Sequence, residues 1–100
     1  MAGDALELTV EGEIWFWRGP SPFHFVTVPD AEAASIRAIA PLVTYGWGMV
    51  PTEVRLGRRT WRTALIPKDG GYLVPIKDAI RKAEGLAIGD EVEVLLLIRT

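Results

Sequence analysis

The stretch GYLVPIKDAIRKAEGLAIGDEVEV, from Gly71 to Val94, decides how the rest of the chain is read. Tyr72 to Val74 is a brief apolar run of strand type. Pro75 has no backbone N–H and a φ already near the helical value, so it is predicted to end that strand and open a helix running to Glu84. Gly85 is a natural left-handed cap for the helix, and Leu86 supplies the apolar contact that usually follows. Gly89-Asp90 then turns the chain into a closing strand, Glu91 to Ile98, apolar on both faces from Val94 onward.

The same order of elements stands upstream. Phe25-Val-Thr-Val-Pro29 precedes a predicted Ala-rich helix over Ala31 to Ala40, with Asp30 and Glu32 at its positive end and Pro41 stopping it. Ile36-Arg37 matches Ile80-Arg81 in the second copy, and Gly48-Met-Val-Pro-Thr-Glu-Val54 matches Gly89-Asp-Glu-Val-Glu-Val94. Identity is low and the spacings differ, so chance is the competing account. A true duplication implies pseudo-two-fold symmetry, with two strand–Pro–helix halves closing one barrel and few exposed strand edges. The expected fold is therefore mostly β: a closed β-barrel with two short helices in a single domain, residues 1–100, whose core spans about 6–98.

Outside the repeat, Leu6, Leu8, Val10, Ile14 and Phe16 alternate with Glu7, Thr9, Glu11 and Glu13, the period-two pattern of a long strand with one core face. Gly12 falls on the apolar side, where a missing side chain suggests a bulge or bend. Trp15 and Trp17 occupy the otherwise polar face, so protein or ligand must cover them. Arg18-Gly-Pro-Ser-Pro22 is a turn, and Phe23 to Val28 returns as a strand with apolar residues on both faces. Val50 to Leu56 and Thr60 to Ile66 form a hairpin around Gly57-Arg-Arg59, and Lys68-Asp-Gly-Gly71 is the next sharp reversal.

The composition of the 100 residues, 49% hydrophobic and 24% charged, is that of a globular chain and excludes general disorder. Cysteine is absent, which removes disulfides, thiolate chemistry and cysteine-based zinc sites, and fits a cytoplasmic protein. No apolar run reaches the ~18 residues that a membrane span needs, and Met1 to Ala5 lacks a signal pattern, so a soluble, unprocessed chain is expected. The net charge of −2 offers no general attraction for nucleic acid or lipid.

The Gly71 to Val94 run resembles the swapped-hairpin pattern of the AbrB/MazE antitoxin group, in which a strand, a Val-Pro or Ile-Pro step, an Arg-bearing helix and a Gly-Asp turn follow one another. From Leu6 to Leu97, Gly12-Glu-Ile-Trp15, Tyr45-Gly-Trp-Gly48, Pro67-Lys-Asp-Gly-Gly-Tyr72, Val74-Pro75 and Gly89-Asp90 are similar to the bacterial family named domain of unknown function 1905. That resemblance implies a double-split β-barrel and no established activity.

Three functional readings follow. In the first, Trp15, Trp17, Tyr45 and Trp47, with Trp61 nearby in type, line a pocket for a small apolar or aromatic molecule, and the chain is a non-catalytic binding module. Core packing of the same aromatics is the competing account. In the second, Arg55, Arg58, Arg59 and Arg62 make one basic hairpin that contacts nucleic acid. The acidic Asp4, Glu7, Glu11 and Glu13 of the first strand, and the missing basic arm, argue against it. In the third, His24 acts as a general base with Lys68 and Asp69, or with Glu13 or Tyr45 as partner. A packed histidine and a plain Asp-Gly-Gly turn are the simpler readings. One histidine and no cysteine make a metal centre unexpected, and no phosphate-loop, serine-elbow or cofactor motif is present. A monomer is expected, because a chain carrying both halves can close on itself.

Overall fold

The alternation of Val, Leu and Ile with charged residues drives segments of ten residues and fewer into strands, and a computed structural model describes residues 5–19 and 23–99. The elements in chain order are β1 (Ala5–Glu13), β2 (Trp15–Trp17), β3 (Phe23–Thr27), α1 (Asp30–Val43), β4 (Val50–Leu56), β5 (Arg59–Lys68), β6 (Gly71–Ile76), α2 (Asp78–Ala83) and β7 (Glu91–Arg99). The turn expected over Arg18 to Pro22 lies partly outside the described residues, as does Asp4.

The seven strands form one antiparallel, curled sheet in the order β1-β7-β4-β5-β6-β3-β2. Its two terminal strands, β1 and β2, are consecutive in the chain and separated by Ile14 alone. β5 is divided in use: Arg59 to Leu65 pair with β4, and Ile66 to Lys68 pair with β6. The first strand run is divided in the same way, β1 pairing with β7 and β2 with β3. Exchanging β3 with β6, β4 with β7, and β1 plus β2 with β5 leaves this set of pairings unchanged.

The core lies on the concave side. Val10, Val54, Leu65, Val74, Leu96 and Ile98 are fully buried there, and α1 adds Ala33 and Ile36 from its apolar stripe. The interior is filled by side chains, as expected for a small barrel-like sheet.

Several sequence expectations need correction. Pro75 does not open a helix: it lies within β6, opposite Phe25, and α2 begins only at Asp78. β6 pairs with β5 only as far as Leu73, so beyond that point a residue without an N–H is tolerated. Pro51 has the matching situation in β4, outside the Glu53–Leu56 segment that pairs with β7. Pro41 does not stop α1, which continues to Val43 and is closed by the Thr44 N–H donating to the Ala40 carbonyl at 2.9 Å. Proline removes only its own donor and disturbs the turn before it, so two further residues, Leu42 and Val43, can follow near the helix end. Gly12 makes no bulge; it sits in regular register opposite Val92. The expected long first strand is interrupted at Ile14, whose N–H donates to the Asp90 carbonyl (3.0 Å) and whose carbonyl accepts from Gly89 (2.8 Å). Gly85 caps α2 with φ +67°, and Leu86 packs on the core, as the sequence indicates.

Candidate functional site

Side-chain alternation puts Trp15 and Trp17 on the convex, outer face of the sheet. Cross-strand register pairs Trp15 with Phe25 and Trp17 with Phe23, and Phe25 with Pro75 beyond. The rings pack in sequence: Trp15 to Phe25 at 5.3 Å between centroids, and Phe25 to Phe23 at 5.5 Å. The Trp15 indole N–H donates to Thr27 Oγ1 at 3.0 Å, which fixes that ring. Phe23 then forms one wall of an outer groove of about 490 Å³, with Tyr45 and Met49 on the other side and Ala64, Ile66 and Pro75 as its apolar floor. Arg62 and Thr63 supply its polar end.

The Tyr45–Met49 segment is held as a miniature hairpin. Its two end residues exchange both backbone hydrogen bonds at 3.1 Å, and Gly46 (φ +57°) and Gly48 (φ +85°) take the left-handed conformations the reversal needs. Trp47 stands at its tip, 95% exposed, and Tyr45 is 55% exposed. Of the four aromatic candidates, Tyr45 lines this groove and Trp17 borders it through Phe23. Trp15 faces a second depression of about 330 Å³ with Asp30, Lys68, Asp69 and Tyr72. Trp61 belongs to the core, and its Nε1 has no hydrogen-bond partner.

His24 is buried in β3, its ring 4.8 Å from Phe16. Its carboxylate neighbour is Asp78 at the start of α2, with Nδ1 3.3 Å from Oδ1; Asp69, Glu13 and Tyr45 are not its partners. Arg81 Nε stands 3.7 Å from the same Asp78 oxygen. Lys68 and Asp69 lie at the opposite end of β6, since Gly71 pairs with Lys68 and Ile76 with His24. Five residues of strand, roughly 17 Å, separate them, so the three acid–base candidates do not meet. The Lys68 turn instead has Asp69 at φ +51° followed by Gly70 at φ +80°, braced by Arg37 Nη1 donating to the Gly70 carbonyl at 2.6 Å.

The arginines of the β4–β5 hairpin do not all point one way. Arg59 pairs with Glu84 at the end of α2 (Nε to Oε2, 3.5 Å). Arg55 and Arg62 lie on the outer face, Arg62 directly opposite Glu53. Among the described residues no group of three or more His, Cys, Asp or Glu side chains is arranged to hold a metal ion. No helix among them is long and apolar enough to cross a membrane.

Sequence reasoning missed the groove floor. Its signal was the Phe23 to Val28 strand, apolar on both faces, together with Ala64, Ile66 and Pro75 at outward positions. One comparison bears on the identity of the chain: the family described as "Domain of unknown function (DUF1905)" matches residues 11–96. The chain belongs to the DUF1905 family. The match runs from the end of β1 into β7, so the groove, the Tyr45 hairpin and the Lys68 turn all lie inside the DUF1905 region. No curated protein matches the chain.

Proposed function

We propose that this DUF1905 domain is a non-catalytic binding module that holds a small apolar or aromatic molecule in the outer groove between Phe23 and Tyr45. The observation that carries this reading is the Tyr45–Met49 hairpin. Its reciprocal hydrogen bonds hold Tyr45 half-exposed beside an apolar floor, with Trp47 in water at the tip outside the groove lining, where folding alone gains nothing from either ring. The groove's size falls within the range of small-ligand sites, and its lining is apolar with a few polar groups at one end. The ligand site is on the outside, because the interior is occupied by aliphatic side chains.

The same reading makes the sheet a closed, double-split barrel with pseudo-two-fold symmetry. It is supported by the pairing pattern that maps onto itself and by the return of both sheet ends to the single run from Ala5 to Trp17. The other two functions have less support: Arg59 is engaged by Glu84, and His24 lies far from Lys68 and Asp69.

The test uses the neutral fluorophore N-phenylnaphthylamine as probe. Wild-type protein should enhance its emission in a saturable titration, and Tyr45→Ala should weaken binding by about tenfold, equivalent to about 1.4 kcal/mol, without changing the unfolding midpoint. No saturable enhancement, or equal affinity in Tyr45→Ala and Met49→Ala variants, overturns the groove.

A further inference from the structure

Among the described residues that line the outer groove, Arg62 alone carries a charge. It shares the outward side of β5 with Ala64 and Ile66, because side chains alternate along a strand and Trp61 and Leu65 turn into the core. Two residues of strand, roughly 7 Å, separate it from Ala64 at the near edge of the apolar floor. The residue is exposed and forms no ion pair among the described residues.

Glu53 is the carboxylate placed to neutralise it, since it lies directly opposite on β4. Glu53, however, lines the neighbouring depression of about 190 Å³ and not the groove. In that depression it is the one carboxylate beside two cations, Arg62 and Arg99. Positive charge is therefore in excess where the groove ends, and a further anion is accommodated there without displacing an existing pair.

The other polar side chains of the lining are Tyr45 and Thr63, whose hydroxyls can donate and which make no side-chain hydrogen bond among the described residues. No carboxylate and no side-chain amide lines the groove. An amine or other cation would be repelled by Arg62 and find no counter-charge. A carboxylate, in contrast, matches the planar fork of a guanidinium through two parallel hydrogen bonds.

We infer that the groove selects an apolar or aromatic monocarboxylate, its apolar part on Ala64, Ile66 and Pro75 and its carboxylate, on a short spacer, at Arg62. This rests on the groove reading proposed above and adds the charge of the molecule bound. One unpaired guanidinium at one end accounts for one carboxylate. Because Arg62 is exposed, the preference for the anion is modest and falls with salt.

Displacement of N-phenylnaphthylamine by naphthylacetate and by naphthylacetamide tests it. The two share a ring and a shape and differ in charge. With wild-type protein in about 20 mM salt the acid should displace the probe at about tenfold lower concentration than the amide, and the ratio should shrink in about 500 mM salt. Arg62→Gln should bring acid and amide level, and Arg62→Lys, which keeps the charge, should restore part of the preference. The ratio is taken within each variant, so a change in the probe's own affinity cancels. Where Arg62→Gln loses the circular dichroism of the wild type, Arg62→Met replaces it. Saturable probe binding with acid and amide equally effective on the wild type, or a preference that survives removal of the Arg62 charge, overturns the carboxylate and leaves the groove standing. Absence of saturable probe binding overturns the groove and this inference with it.

Discussion

Gly12 illustrates how a single residue depends on elements distant in sequence. A Cβ there would lie 2.9 Å from Val26 Cγ1 and 3.4 Å from the Thr27 carbonyl oxygen, because β3 packs across the strand at that point. The glycine is needed for that approach and not for a bulge. Gly12→Val should cost roughly 2 kcal/mol, typical of overpacking, measured as a lower urea midpoint with an unchanged slope. An unaffected midpoint would mean that β3 does not press on β1. Asp78 is a second case: it provides the first-turn carboxylate of α2 and the neighbour of both His24 and Arg81. Asp78→Ala should cost about 0.5–1 kcal/mol, the scale of a partly exposed charge at a helix N-terminus, with the loss shrinking in high salt.

At the scale of elements, the facing glutamates of β1 and β7 set a limit on the stability of that pair. Replacing one member by a cation turns repulsion into attraction. Glu93→Lys should therefore raise stability by about 0.5–1 kcal/mol in low salt, a rise of several degrees in Tm for a domain of this size. Thermal unfolding at high salt should erase most of that gain; a gain that survives would point to a packing effect. β6 and β4 show how neighbours decide an element's identity. Pro75 reads as the end of a strand and Pro51 lies inside a segment read as one, and each sits where its strand has lost one of its two partners, so no ladder bond is forfeited.

For the whole molecule, Ile14 is the joint. It is fully buried and separates β1 from β2, the strands at the two ends of the sheet order, and its backbone is tied to Gly89 and Asp90. Ile14→Ala should cost about 2–5 kcal/mol, the range for a core truncation that leaves a cavity. In native-state hydrogen exchange it should lower protection in β1 and β2 together. Loss confined to β1 would show that the two ends open independently.

The sequence by itself determined the strand-rich class, most of the elements in their order and the cap at Gly85, though not the break at Ile14 or the place of Pro75 inside a strand, because what it determined rests on local periodicity and on the backbone preferences of glycine. It also contained the acidic strand and the arginine hairpin as separate features. Only the tertiary structure decided which carboxylate meets His24, that Lys68 and Asp69 stand far from it, that Tyr45 shares a groove with Phe23 and Ile66, and that the glutamates and arginines lie on one face. Strand register and sheet order bring together residues with no relation along the chain. Those pairings arise from the burial of Val10, Val26, Val54, Val74 and Leu96 in one core, a collective outcome that no local stretch encodes.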